Sequence, residues 1–153
     1  MTVAFELNGR PVTVTQRHPH LLAALREELG VTSAKDGCSP QGQCGCCTVM
    51  IDGKAQISCT YPLDKVAGRS VTTLDGVDES ERQRYADAFA ACGGLQCGFC
   101  IPGMIMAARA LLDEFPEPTL DQIKYGLGGN LCRCTGYTKI FEAVLKAAQM
   151  ERV

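Results

Sequence analysis

Leu95-Gln96-Cys97-Gly98-Phe99-Cys100, answered by Leu131-Cys132-Arg133-Cys134, is the part of the chain on which its reading turns. Two cysteines enclosing two residues, followed one helical hairpin later by two enclosing a single residue, supply four thiolates able to converge on one inorganic centre. Each pair stands just before a stretch of helical period, Ile101 to Phe115 and Thr138 to Met150. Both pairs are therefore expected near helix N-termini, where backbone N–H groups favour negative charge. Zinc knuckles do not place two ligands one residue apart in this way.

A second set lies upstream. Cys38, Cys44, Cys47 and Cys59 read C-x5-C-x2-C-x11-C, close to the C-x4-C-x2-C…C spacing that holds a plant-type [2Fe–2S] cluster. A short loop delivers three thiolates to such a cluster only if its backbone wraps tightly, and Gly37, Gly42 and Gly45 flank the ligands. Cys59 is expected to return to the loop after a strand pair. A four-cysteine zinc site is the alternative, but only Cys44 and Cys47 have the knuckle form.

Beyond the cysteines, 153 residues suffice for one ordinary domain or two small ones that bound metal helps to stabilise. A net charge of −2 with 21% charged residues offers no basic face for nucleic acid and no polybasic segment for a membrane. Ten cysteines, some adjacent (Cys46-Cys47) or one residue apart, suit disulfide geometry poorly. The start Met1-Thr2-Val3-Ala4-Phe5-Glu6 carries no export signal, and no apolar run reaches membrane-spanning length. A reducing cytoplasm is the expected location, and there clustered cysteines read as metal ligands.

The patterning predicts an α+β chain of two domains, residues 1–76 and 77–153. Val3, Phe5 and Leu7 alternate, Asn8-Gly9 turns the chain, and Val12 and Val14 alternate again, a β-hairpin. A helix is expected over His20–Leu29, with Gly30 at its end. A second hairpin follows around Asp52-Gly53, then a strand over Ser70–Leu74. Beyond Asp75-Gly76 the composition shifts to Ala, Leu, Met and Gln. Helices are expected over Ser80–Ala91 and Ile101–Phe115, from an N-cap at Thr119 to Gly126, and over Thr138–Met150, making a four-helix bundle. Outside the two cysteine sets, Cys92 reads as a core thiol, Met104 and Met106 as packing, His18 and His20 as capping or solvated residues, and Arg133 either as pairing with a neighbouring cofactor or subunit or as a surface salt-bridge residue. No Ser/His/Asp grouping, phosphate loop or paired carboxylates occur, so no catalytic residue is assigned.

Cys-Gly-x-Cys-Thr-Val with its Asp-Gly hairpin and later cysteine, followed by Gln96-Cys97-Gly98-Phe99-Cys100 with Pro102-Gly103-Met104 and by Gly129-Asn130-Leu131-Cys132-Arg133-Cys134-Thr135-Gly136-Tyr137, resembles the iron–sulfur subunit of the molybdenum hydroxylases. That family includes xanthine dehydrogenases, aldehyde oxidoreductases and carbon monoxide dehydrogenases. The resemblance spans nearly the whole chain. It implies a plant-ferredoxin-like β-grasp domain ahead of the helical bundle, with two [2Fe–2S] clusters held by Cys38, Cys44, Cys47 and Cys59 and by Cys97, Cys100, Cys132 and Cys134. It further implies that Gln96 and Cys134 approach a molybdopterin, in a dinucleotide form, on a large subunit. FAD would be carried by a medium subunit, and the complex would be a dimer of heterotrimers in which this chain transfers electrons without performing catalysis itself. Two departures stand out. Five residues rather than four separate Cys38 from Cys44, and Cys46 stands where the family usually has alanine, so Cys46 is read as a free thiol. The rival readings are a stand-alone two-cluster carrier and a zinc-stabilised interaction module.

Overall fold

Strands β1 (Thr2–Leu7) and β2 (Arg10–Thr15) pair antiparallel, Val3 opposite Val14 and Phe5 opposite Val12. The computed structural model describes residues 1–150. Asn8 and Gly9 take φ of 51° and 77°, the positive pair that a tight two-residue hairpin turn requires. The second hairpin joins β3 (Thr48–Ile51) to β4 (Lys54–Ile57). Strand β5 (Ser70–Thr72) lies parallel to β1 and antiparallel to β3, giving the order β2-β1-β5-β3-β4. The strand expected over Ser70–Leu74 stops at Thr72 because Asn8 captures the next residue. Its Oδ1 accepts the Thr73 N–H at 2.9 Å and its Nδ2 donates to the Thr73 hydroxyl at 3.0 Å, and Leu74–Gly76 then forms a 3₁₀ turn.

The helix expected over His20–Leu29 is in fact one α-turn, α1 (Leu21–Ala23), widening into a π-turn over Ala24–Glu28. There the Leu29 N–H reaches the Ala24 carbonyl at 3.1 Å. Both helix types bury a single face, here Leu21, Leu22, Ala24 and Leu25, so the apolar pattern alone does not separate them. His20 caps α1, its Nδ1 accepting the Ala23 N–H at 3.2 Å, and Gly30 leaves at φ 68° as expected. His18 departs from expectation. It is buried, with Nε2 3.0 Å from Glu28 and Nδ1 3.5 Å from Glu27.

Four helices follow, α2 (Glu79–Cys92), α3 (Ile101–Glu114), α4 (Leu120–Gly126) and α5 (Thr138–Gln149). Gly93, at φ 67°, ends α2 as it lets the Gly94 N–H reach back to Phe89 O at 2.8 Å. Thr119 and Gln122 form the reciprocal capping box that starts α4. Helix α2 packs along α5, and the short α4 bridges α3 and α5. Helix α3 also lies against β3 and β4. That contact explains why every residue of β3 is buried. Val49 and Ile51 join Phe5, Leu22, Leu25 and Val71 on one face, while Met50 meets Val77 and Met106 on the other. A strand covered on both faces loses its polar alternation. The helical half thus completes the sheet, and Met104 and Met106 pack in its core as expected.

Candidate metal centres

The first cysteine set is assembled by the β3–β4 hairpin. Ser58 anchors the returning strand to the loop, its hydroxyl donating to the Cys47 carbonyl at 2.7 Å, and so places Cys59 beside Cys47. Cys44, Cys47 and Cys59 are buried and Cys38 is partly exposed. The extra residue between Cys38 and Cys44 is absorbed in a loop that turns outward. Ser39 and Gly42 take φ of 64° and 69°, Asp36 accepts the Ser39 N–H at 2.9 Å, and Pro40, Gln41 and Gln43 are exposed.

Backbone amides converge on the sulfurs. The Gln41 N–H donates to Cys38 Sγ at 3.1 Å. The Gln43 amide above all, and with it those of Cys44 and Gln41, overcomes burial and brings the Cys38 thiol down to about 6. Burial, reinforced by the Cys47 sulfur, pushes Cys59 up to about 12. Within this set Cys38 lies near enough to Cys44, and Cys59 to Cys47 and Cys38, for their thiols to act on one another.

In the second set Cys134 lies near enough to Cys97, and Cys100 to Cys132 and Cys97, for the same to hold. Cys100 is the N-cap of α3, whereas the other three lie in the loops leading into α3 and α5, so only part of the expected helix-end placement is realised. Burial, then the Cys132 sulfur, pushes Cys100 up to about 12. At Cys132 burial is outweighed by the Thr135 hydroxyl, 3.2 Å from the sulfur, and by the Thr135 and Cys134 amides, so this thiol lies below its ordinary value. The hydrogen bond that the Cys134 thiol donates to Cys97 raises Cys134. Tyr137, held at φ 72°, accepts the Cys132 N–H on its hydroxyl at 3.0 Å and stacks on Phe141. Among the described residues no three His, Cys, Asp or Glu side chains gather about a single point. The fold brings Cys38, Cys44, Cys47 and Cys59 into one neighbourhood and Cys97, Cys100, Cys132 and Cys134 into another.

The two groups are joined directly. The Leu131 N–H, one residue before Cys132, donates to the Cys44 carbonyl at 2.8 Å. Next to it the buried Asn130 donates from Nδ2 to the Gly45 carbonyl at 2.9 Å, and that carbonyl also accepts the Thr48 hydroxyl at 2.6 Å. Gly45 and Gly103 permit this closeness. A Cβ on Gly45 would lie 2.7 Å from Asn130 Nδ2, and one on Gly103 would lie 3.0 Å from the Cys46 Cα. The sequence pattern did not reveal Leu131, Asn130, Thr135 or Tyr137 as parts of the site, although all four stand within the quoted motif. The signal available for Asn130 was a polar residue wedged between Gly129 and Leu131.

The second set opens to the surface. Cys97 and Cys134 are exposed, and Gln96 donates from Nε2 to the Cys134 carbonyl at 3.2 Å. Around them Leu95, Phe99 and Leu131 are 43%, 45% and 51% exposed, an apolar rim that water covers poorly. Arg133 is exposed, and among the described residues it makes no ion pair. Cys92 packs partly buried against the helical core, as expected of a core thiol, and Cys46 is a buried free thiol. No described helix is long and apolar enough to cross a membrane.

Residues 73–145 match the family described as "[2Fe-2S] binding domain". The chain is 42% identical to the nicotinate dehydrogenase small FeS subunit of Eubacterium barkeri over 97% of its length and 96% of that protein. It is 44% identical to the alpha subunit of isoquinoline 1-oxidoreductase from Brevundimonas diminuta, covering 96% of itself and 97% of the relative. Among solved structures, a chain of quinoline 2-oxidoreductase from Pseudomonas putida 86 superposes with a TM-score of 0.89 at 40% identity, over 97% of this chain and 94% of that one.

Proposed function

The chain belongs to the iron–sulfur subunits of the molybdenum hydroxylase family, and from that premise we propose that it holds two [2Fe–2S] clusters and carries electrons from a molybdopterin centre on a large subunit to FAD on a medium subunit. It is a non-catalytic subunit of an oxidoreductase. One cluster is held by Cys38, Cys44, Cys47 and Cys59 and the other by Cys97, Cys100, Cys132 and Cys134. The donor sets fit such a group. Four cysteines in each neighbourhood suit two irons, whose positive charge would offset the repulsion among closely spaced thiolates. When bound, each cluster supplies a one-electron redox couple.

The observation that carries the direction of flow is the contrast between an open second set and a buried first set, linked by the Leu131 amide on the Cys44 carbonyl. The chain takes electrons at the exposed Gln96, Cys97 and Cys134 face, whose apolar rim docks the large subunit and its molybdopterin dinucleotide. It delivers them beside the outward loop between Cys38 and Cys44, where the medium subunit docks. The complex is a cytoplasmic dimer of heterotrimers. We assign residues 1–76 to the ferredoxin-like domain and 77–153 to the helical one, a division supported by their two largely separate apolar cores.

In the purified complex, Cys97→Ser is expected to stop substrate-driven reduction of the centre at Cys38, Cys44, Cys47 and Cys59 while leaving it reducible by dithionite. Substrate-driven reduction at the wild-type rate would overturn the proposed direction.

A further inference from the structure

Between Cys132 and α5 the chain closes on itself through a ring of three hydrogen bonds. The Tyr137 N–H donates to Thr135 Oγ1 at 3.2 Å, and the Thr135 hydroxyl lies 3.2 Å from Cys132 Sγ. Because Oγ1 serves as the acceptor for the Tyr137 amide, its own proton is free to go to the sulfur. The Cys132 N–H completes the ring by donating to the Tyr137 hydroxyl at 3.0 Å. Tyr137 is itself fixed. It is the residue before α5, its carbonyl accepts the Phe141 N–H at 3.0 Å, and its ring stacks on Phe141, which packs against the helical core. Thr135 is half-buried, and turning its hydroxyl away from the sulfur would release the Tyr137 amide. Its β-branched side chain narrows the choice of rotamer further.

We infer that Thr135 is a positioning residue for the centre at Cys97, Cys100, Cys132 and Cys134, its hydroxyl donating to Cys132 Sγ so as to raise the reduction potential of that centre. The inference rests on the proposed function. Reduction adds one negative charge to a cluster, and a donor held at a ligating sulfur stabilises the added charge. The bond stands at the open face, beside the exposed Cys97 and Cys134, so a partner that covers this face excludes water and strengthens it. The effect is selective. The other cysteine set is joined to this one through the Leu131 amide on the Cys44 carbonyl and not through Thr135.

The test is a redox titration of the assembled complex, followed by EPR, on wild type, Thr135→Val, Thr135→Ala and Thr135→Ser. At a fixed ambient potential, Thr135→Val and Thr135→Ala are expected to lower the reduced-to-oxidised ratio of the second-set centre about three- to tenfold, tenfold being 59 mV for a one-electron couple. The ratio at the first-set centre should stay within about twofold of wild type. Thr135→Ser keeps the hydroxyl and should restore the second-set ratio to within about twofold. A second-set ratio within twofold of wild type in Thr135→Val or Thr135→Ala, a serine variant shifted as far as these two, or equal shifts at both centres would each overturn the inference. Loss of the second-set signal in both Thr135→Val and Thr135→Ala would make the hydroxyl a requirement for assembly and overturn it as well. Failure to find two [2Fe–2S] signals in the wild-type complex would instead overturn the underlying function, so the two failures are told apart.

Discussion

Replacing Asn130 with Ala tests how the two cysteine loops are clamped together. Asn130 is 6% exposed, and its Nδ2 donates to the Gly45 carbonyl at 2.9 Å while lying 3.4 Å from the Thr48 hydroxyl. The carbonyl keeps the Thr48 hydroxyl at 2.6 Å and the Thr48 N–H at 3.1 Å, so the variant leaves no bare acceptor. The loss is then one buried neutral hydrogen bond plus a small void, about 1–2 kcal/mol. A change of that size raises the population of the opened loop roughly five- to thirtyfold. The assay is bleaching of the visible absorbance by an iron chelator at low concentration, where the rate follows the open population. Thr48→Val removes the other side-chain donor to the same carbonyl. Because the two share one acceptor and Asn130 Nδ2 lies 3.4 Å from the Thr48 hydroxyl, the double variant should depart from the sum of the singles. A bleaching rate for Asn130→Ala within twofold of wild type, or strict additivity with Thr48→Val, would refute the clamp.

Other expectations follow from the same geometry. Gly103→Ala puts a methyl into the Gly45 carbonyl and 3.0 Å from the Cys46 Cα, and should cost about 1–3 kcal/mol by urea denaturation, with lowered iron occupancy. Cys59→Ser should remove the first-set centre and leave the second, so that iron falls from about four to about two per chain and one EPR signal survives. Acid stability should depend on Glu28, which the Thr15 hydroxyl at 2.7 Å and the Thr15 N–H at 2.9 Å hold below its ordinary value of 4.5. A folded value below the unfolded one means that this contribution is present above about pH 4.5 and is lost as pH falls through the folded value. Glu28→Gln should therefore flatten the acid limb of a Tm-versus-pH curve and change little near neutrality, a control being the wild-type curve in the same buffers.

Much of the fold was legible because its signals are local. Asn8-Gly9 and Asp52-Gly53 adopt positive φ where the hairpins need it, Thr119 caps α4, and Gly30 ends the turn before it. What escaped depends on partners distant in sequence. The π-turn at Ala24–Glu28 buries the same face as an α-helix would, and the end of β5 is set by Asn8, more than sixty residues away, as the Asn8–Thr73 separation of 65 records. The two-sided burial of β3 is decided by α3, which an alternation pattern cannot see.

The cysteine sets were legible as sets, since spacing reports which sulfurs a loop can deliver. The burial of one and the openness of the other were not, because these follow from how the β3–β4 hairpin and the loop around Asn130 meet. The same holds for Cys46, a buried thiol whose Sγ lies 3.8 Å from the Cys44 carbonyl.

Whether the chain holds two [2Fe–2S] clusters is decided by iron and sulfide analysis of the purified protein. About four irons and about four acid-labile sulfides per chain are expected, with two distinct [2Fe–2S] EPR signals on reduction. About one zinc per chain with no labile sulfide, or a single cluster at full iron loading, would contradict the two-cluster relay.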